Sequence, residues 1–180
     1  MNLPNKITVF RVCMIPFFLI FMLVPGIPAG KYIACALFAI AAASDFLDGY
    51  LARKNNLVTD FGKFMDPLAD KLLVCSALIC FVAADQVPAW IVIVIIAREF
   101  IISGFRTIAV ENQVVIAASY WGKTKTVVQL FMCIFFIVDL NGAFFDTVEQ
   151  VLMYVAAALT VISLVDYLVK NKKVLTEGTK

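Results

Sequence analysis

Histidine is absent from the 180 residues of this chain. That removes imidazole-ligated zinc, a histidine general base and every Ser-His triad. Cysteine offers little more. Cys13, Cys35, Cys75, Cys80 and Cys133 all sit inside apolar runs, form no C-x-x-C pair and are odd in number. They read as packing residues of apolar helices rather than a disulfide framework or a thiol nucleophile. Charged residues make up only 16%, and 15 basic against 13 acidic residues leave a net charge of +2. With no dense basic patch and no interleaved aromatics, no nucleic-acid partner is expected. No internal repeat, low-complexity tract or soluble domain stands out.

What the chain has is apolar surface. It is 63% hydrophobic with a mean hydropathy of +0.96, far above an ordinary soluble domain. Six apolar stretches run from Ile7 to Val24, Tyr32 to Leu51, Pro67 to Ala84, Pro88 to Ala109, Gly122 to Leu140 and Val148 to Val169. Each approaches the roughly 20 residues that a spanning helix needs. Helices satisfy their own backbone where water is missing, so the expected fold is an all-α integral membrane protein. It is a six-transmembrane-helix bundle forming a single domain over 1–180. Lys6 and Arg11 before Val12 to Val24 also resemble a signal peptide with a cut near Ala29, but a retained first helix is simpler. Pro25, Pro28 and Gly30 punctuate the first turn, and Asp139, Asn141 and Gly142 the fifth. One side gathers Lys6, Arg11, Arg53, Lys54, Lys63, Lys71, Arg106, Lys123, Lys125 and the terminal lysines, while the other has Lys31 among several acids. The positive-inside rule makes the first side cytoplasmic, with both termini there, in the plasma membrane. Trp90 and Trp121, near helix ends, read as interface anchors.

Between the second and third stretches lies D-F-L-D-G-Y-L-A-R-K-N-N-L-V-T-D-F-G-K-F-M-D-P-L-A-D, residues 45–70. Asp45, Asp48, Asp66 and Asp70 are costly beside a bilayer unless something offsets their charge. Two divalent cations with oxygen ligands would do so. Asp45 and Asp48 are spaced i, i+3, and Asp66 and Asp70 i, i+4, so each pair shares a helix face. Two metals held there could clamp the attacking and leaving oxygens of a phosphoryl displacement. Gly49, Ala52 and Gly62 allow a ligand or helix to come close, and Arg53 is placed to meet a phosphate. A solvated charged loop is the bland alternative; a divalent-cation transporter is the other functional one. Such transporters tend to show inverted repeats, and none is found.

The segment fits D-x2-D-G-x2-A-R-x8-G-x3-D-x3-D through Asp45, Asp48, Gly49, Ala52, Arg53, Gly62, Asp66 and Asp70. This resembles the signature of the CDP-alcohol phosphotransferase family. The resemblance implies a six-helix membrane homodimer that moves a phosphatidyl group from CDP-diacylglycerol to an alcohol, releases CMP and uses Mg2+ or Mn2+. It implies metal binding by Asp45, Asp48 and Asp66. Asp70 would be the general base and a further metal contact. Pro4 to Arg11 is similar to the family's amino-terminal stretch. On that likeness Thr8 and Arg11, with Thr59 from the loop, join Asp45, Gly49, Ala52, Arg53 and Gly62 in holding CDP-diacylglycerol. A helix cap at Asn5 or Thr8 and a positive-inside anchor at Arg11 are the plainer readings.

A second region bears on the acceptor. Arg98 and Glu99 are ionisable groups inside an apolar span, where a functional role is the default. The structural alternative is a buried Arg98–Glu99 network that ties helices together. Arg106, Lys123 and Lys125 could form a cationic pocket, or simply flank the membrane. The strings R-E-F-x-I-S-G-x-R and G-K-x-K-T resemble the glycerophosphate-using branch of the family. By that likeness Arg98, Arg106, Lys123 and Lys125 would hold sn-glycerol 3-phosphate, and the product would be phosphatidylglycerophosphate. Inositol phosphate, serine or phosphatidylglycerol remain alternative acceptors.

Overall fold

The computed structural model describes the backbone of residues 3–54, 60–111 and 119–171, with side chains at 5–44, 65, 68–109 and 119–171. The described chain is all-helical: α1 (Leu3–Leu23), α2 (Gly30–Lys54), α3 (Asp60–Ala83), α4 (Ala89–Glu111), α5 (Tyr120–Val138) and α6 (Ala143–Lys170). Each expected apolar stretch corresponds to one helix. The helices also run past the apolar limits, chiefly at the ends rich in Lys and Arg. α1 begins at Leu3 instead of Ile7, α2 continues to Lys54, and α3 starts at Asp60, seven residues before Pro67. Helical hydrogen bonding does not require apolar side chains, so hydropathy marks the greasy middle of a helix and misses polar end turns.

Among the described residues, α1, α5 and α6 are long and apolar enough to be candidate spans: Asn5–Leu23, Tyr120–Val138 and Ala143–Lys170. Their outward residues are large and apolar, among them Phe17 and Ile20 on α1, Phe131 on α5, and Val151, Tyr154 and Val165 on α6. A surface of that kind is solvated by lipid far better than by water.

The helices divide into two compact units: residues 1–86 with 133–140, and 87–132 with 141–180. In the first, α1 packs on both α2 and α3, and α2 also meets α3. Phe18 of α1 and Phe38 of α2 are fully buried with ring centroids 5.9 Å apart. α2 begins where Gly30 comes so near α1 that a Cβ would stand 3.0 Å from the Phe21 carbonyl oxygen. Phe81 of α3 meets Phe136, at 5.4 Å between centroids, and Gln86 donates to the Phe136 carbonyl. Exposed Lys31, near the start of α2, pairs with Asp139, which closes α5 in a left-handed conformation. The first helix is thus woven into this unit by its buried face.

In the second unit α4 packs on α6. The buried residues of α4 include Ile91, Ile95, Arg98, Ile102, Phe105 and Ala109; those of α6 include Glu149, Met153, Ala156, Thr160, Ser163 and Tyr167. Both sets step by four and three residues alternately. That seven-residue repeat is the seam of helices packing at a shallow left-handed crossing. Phe105 and Tyr167 meet edge to face at 6.1 Å beside Ile102, Leu164 and Leu168.

Phe38→Ala removes a ring that fills the centre of the first unit. It is expected to destabilise the protein by about 3 kcal/mol, the low end for a buried Phe→Ala change, read as a lowered midpoint of thermal unfolding in detergent. Ile40→Ala, on the exposed apolar surface of the same helix, should change the midpoint far less.

Candidate active site

The seams carry the candidate site residues to the helix ends. In α2, Asp45 and Asp48 follow Phe38 and Ala41 by seven residues; in α3, Asp66 and Asp70 precede Leu73 and Ala77 by seven. In α1, Thr8 and Arg11 precede Ile15 and Phe18 by seven. All six apolar reference residues are buried. The three contacting helices of the first unit therefore continue their packing registers into polar positions. The side chains of Asp45, Asp48, Gly49, Ala52, Arg53, Gly62 and Asp66, and all of Thr59, lie outside the described residues.

Those that are described are well packed. Asn5, Thr8 and Arg11 are buried; Arg11 is 0% exposed, among the largest side chains to be fully enclosed. Asp70 is half-buried, and Thr8, Arg11 and Asp70 all engage in polar interactions. An arginine enclosed to this degree is not a headgroup-facing anchor, which would keep its guanidinium in water. Among the described residues no group of three or more potential metal ligands occurs, and of the four acids only Asp70 has a described side chain. The donor set itself, four carboxylates on two contacting helices, has the hard oxygen chemistry that suits Mg2+ or Mn2+.

The second unit holds a buried ionic cluster. Arg98 of α4 donates from Nη1 to Glu99 Oε1 at 2.9 Å and from Nε to Ser163 Oγ of α6 at 3.2 Å. Lys125 of α5, only 1% exposed, pairs with the same Glu99 Oε1. Three helices are thus linked through Arg98 and Glu99. Ser119 sets the start of α5: its Oγ accepts from the Gly122 amide at 3.1 Å, as an N-cap serine does. Gly122 lies against Arg98, where a Cβ would stand 3.2 Å from Nη2.

Of the four cations expected at the acceptor, Arg98 and Lys125 come together on Glu99, while Arg106 and Lys123 are exposed. Lys123 is two positions from Lys125, about 200° around a helix, and so on another face. Lys125 belongs to a buried stripe with Gln129, Met132 and Phe136, a spacing that by itself separates the two lysines. Ser163 was not singled out by sequence. Its only trace is a small polar residue on the seam of an apolar helix, and its partner depends on how α4 meets α6.

Residues 1–162 match the family model described as CDP-alcohol phosphatidyltransferase. The chain belongs to this family. A Bacillus subtilis relative named CDP-diacylglycerol–glycerol-3-phosphate 3-phosphatidyltransferase is 44% identical, with 97% of each chain covered. A Haemophilus influenzae protein of the same name is 41% identical over 93% of this chain and 91% of its own. A Mycobacterium tuberculosis relative, named probable phosphatidylglycerophosphate synthase, is 39% identical over 94% of this chain and 81% of its own. Membership in the CDP-alcohol phosphatidyltransferase family sets aside the transporter alternative, which rested on the acids alone.

Removing the Ser163 hydroxyl leaves the Arg98 Nε–H without its acceptor. Ser163→Ala should cost about 1–2 kcal/mol of stability, as for a buried hydrogen bond to a charged group, measured by denaturation in detergent. Thr107→Ala removes an exposed hydroxyl that bonds only within α4 and should stay within about 0.5 kcal/mol.

Proposed function

We propose that this chain transfers the phosphatidyl group of CDP-diacylglycerol to sn-glycerol 3-phosphate, giving phosphatidylglycerophosphate and CMP. A glycerol hydroxyl oxygen attacks the phosphorus that bears the lipid. The bond from that phosphorus to the CMP oxygen breaks, CMP departs with the electron pair, and the hydroxyl proton passes to Asp70. Family membership, and relatives named for this reaction along nearly the whole chain, support the reading. The observation in the structure that carries the acceptor is the buried meeting of Arg98 and Lys125 on Glu99. Cations enclosed among apolar helices are expensive, and an anionic acceptor explains keeping them.

Asp45, Asp48, Asp66 and Asp70 would hold the divalent ions, Mg2+ or Mn2+. Such ions, when bound, offset the charge of the pyrophosphate and of departing CMP. Thr8 and Arg11, with Asp45, Gly49, Ala52, Arg53, Thr59 and Gly62, hold and orient CDP-diacylglycerol; the burial of Thr8 and Arg11 supports their share. Asp70, half-buried beside the seam of α3, receives a proton only if it is ionised, which nearby positive charge favours. Arg98 and Lys125 form the inner part of the acceptor site, and Arg106 and Lys123 its exposed outer part. The whole chain acts as one catalytic domain whose six helices span the plasma membrane as a homodimer. Both termini and the carboxylates face the cytoplasm, where the Lys- and Arg-rich helix ends collect.

Purified protein given CDP-diacylglycerol, Mg2+ and labelled sn-glycerol 3-phosphate should release CMP and carry label into lipid. Asp70→Asn should lose at least about 100-fold in kcat, the scale of a general base. Chelation should abolish turnover, and Mg2+ or Mn2+ should restore it. CMP release only with another alcohol overturns the acceptor; no CMP with any alcohol overturns the reaction. Lys125→Met should raise KM for glycerol 3-phosphate by about tenfold or more, as loss of one charge-assisted contact does, with little effect on KM for CDP-diacylglycerol. Equal effects on both substrates would remove Lys125 from the acceptor site.

A further inference from the structure

A carboxylate among the cations meant for a phosphate is a puzzle, because it repels the ligand they attract. Glu99 occupies that place. It does not simply cancel one neighbour: its Oε1 binds Arg98 Nη1 at 2.9 Å and also meets Lys125 Nζ. Arg98 is fixed from a second direction by Ser163 Oγ on Nε. With Nε and Nη1 occupied, Nη2 has no protein hydrogen bond among the described residues. That nitrogen faces Gly122, at a distance where a side chain on the glycine would crowd it. The guanidinium is therefore held by two of its nitrogens while the third keeps its donors and the space beside it.

We propose that Glu99 is a positioning residue for the acceptor, its Oε1 fixing Arg98 and Lys125 together so that Arg98 Nη2 is set to bind the phosphate of glycerol 3-phosphate. This rests on the acceptor reading above. The physical gain is preorganisation. Long cationic side chains lose much rotamer freedom when a ligand gathers them, and a carboxylate that has already gathered them removes that loss from the binding step. Glu99 also keeps two buried cations from repelling each other before substrate arrives. Its repulsion of the phosphate is the lesser effect, because the same carboxylate fixes two attractive partners.

The test is steady-state kinetics in mixed micelles, varying labelled sn-glycerol 3-phosphate and CDP-diacylglycerol separately, for wild type, Glu99→Gln and Glu99→Ala. Glu99→Gln keeps the shape and an acceptor oxygen but loses the charge, and decides the matter alone if Glu99→Ala does not fold. Glu99→Gln should raise KM for glycerol 3-phosphate about tenfold, and Glu99→Ala towards a hundredfold, the range for misplaced binding groups. In both, KM for CDP-diacylglycerol should move less than about twofold and kcat at saturation less than about threefold, since only ground-state gathering of the acceptor is lost. A fall in acceptor KM in Glu99→Gln would show that repulsion dominates and overturn the proposal. So would an unchanged acceptor KM, or equal shifts for both substrates, which is the mark of a purely structural residue. If wild type itself carries no label from glycerol 3-phosphate into lipid, the acceptor reading fails and this inference falls with it. If wild type transfers label but the two KM values do not split, only this inference fails.

Discussion

The constraint on which the polar part of this structure depends is charge enclosed by apolar helices, as at Arg11, Arg98 and Lys125. An ion removed from water needs an opposite charge and hydrogen bonds in contact with it, or it will not stay there. Arg98, Glu99, Lys125 and Ser163 meet that condition with residues from α4, α5 and α6. The cluster is therefore a structural tie, and on the proposed reading a chemical site as well. A buried network that joins helices and a phosphate site are not competing readings of Arg98 and Glu99. The same bonds that hold the helices also fix the orientation of the guanidinium.

The seven-residue seam places these groups. On each of five helices at least one candidate residue is one repeat from a buried apolar one: Arg11 from Phe18, Asp45 from Phe38, Asp70 from Ala77, Arg98 from Phe105, Lys125 from Met132. Packing rigidity in the middle of each helix is transmitted along its axis to the polar end. A site built on helices so anchored is set more tightly than one built on loops. That matters for in-line phosphoryl transfer, where misplacement by an ångström is costly.

The number of helices and their apolar middles were legible in the sequence because apolar runs of spanning length are a strong signal. Their ends were less so: α3 begins at Asp60, among residues too polar for a hydropathy reading to include. The spacing of the four acids was legible in the sequence; of their side chains, that of Asp70 lies among the described residues. The acceptor side was legible only in part. Charge grouped Arg98, Arg106, Lys123 and Lys125 together; in the structure Arg98 and Lys125 meet at Glu99, and Lys123 and Arg106 are exposed. Seam periodicity on α5 separates Lys125 from Lys123. No periodicity could supply Ser163, since its contact with Arg98 arises only when two helices distant in sequence pack.

The two units differ in how their charge can be balanced. In the second, Glu99 sits between Arg98 and Lys125, and cations are held by a carboxylate from within the chain. In the first, the sequence sets four carboxylates, Asp45, Asp48, Asp66 and Asp70, near the ends of α2 and α3, with Arg11 on α1 and Arg53 on α2. An excess of acids over arginines at such positions is unfavourable by itself, and divalent cations relieve that condition. On the proposed reading the chain supplies its own counter-charge where the acceptor's phosphate would be received. It would leave the counter-charge to bound ions where a pyrophosphate would be broken. The difference follows from the chemistry. An anion-binding site works best with its donors already fixed, whereas a site that must accommodate charge moving onto a leaving group benefits from ions that contact substrate and carboxylates together.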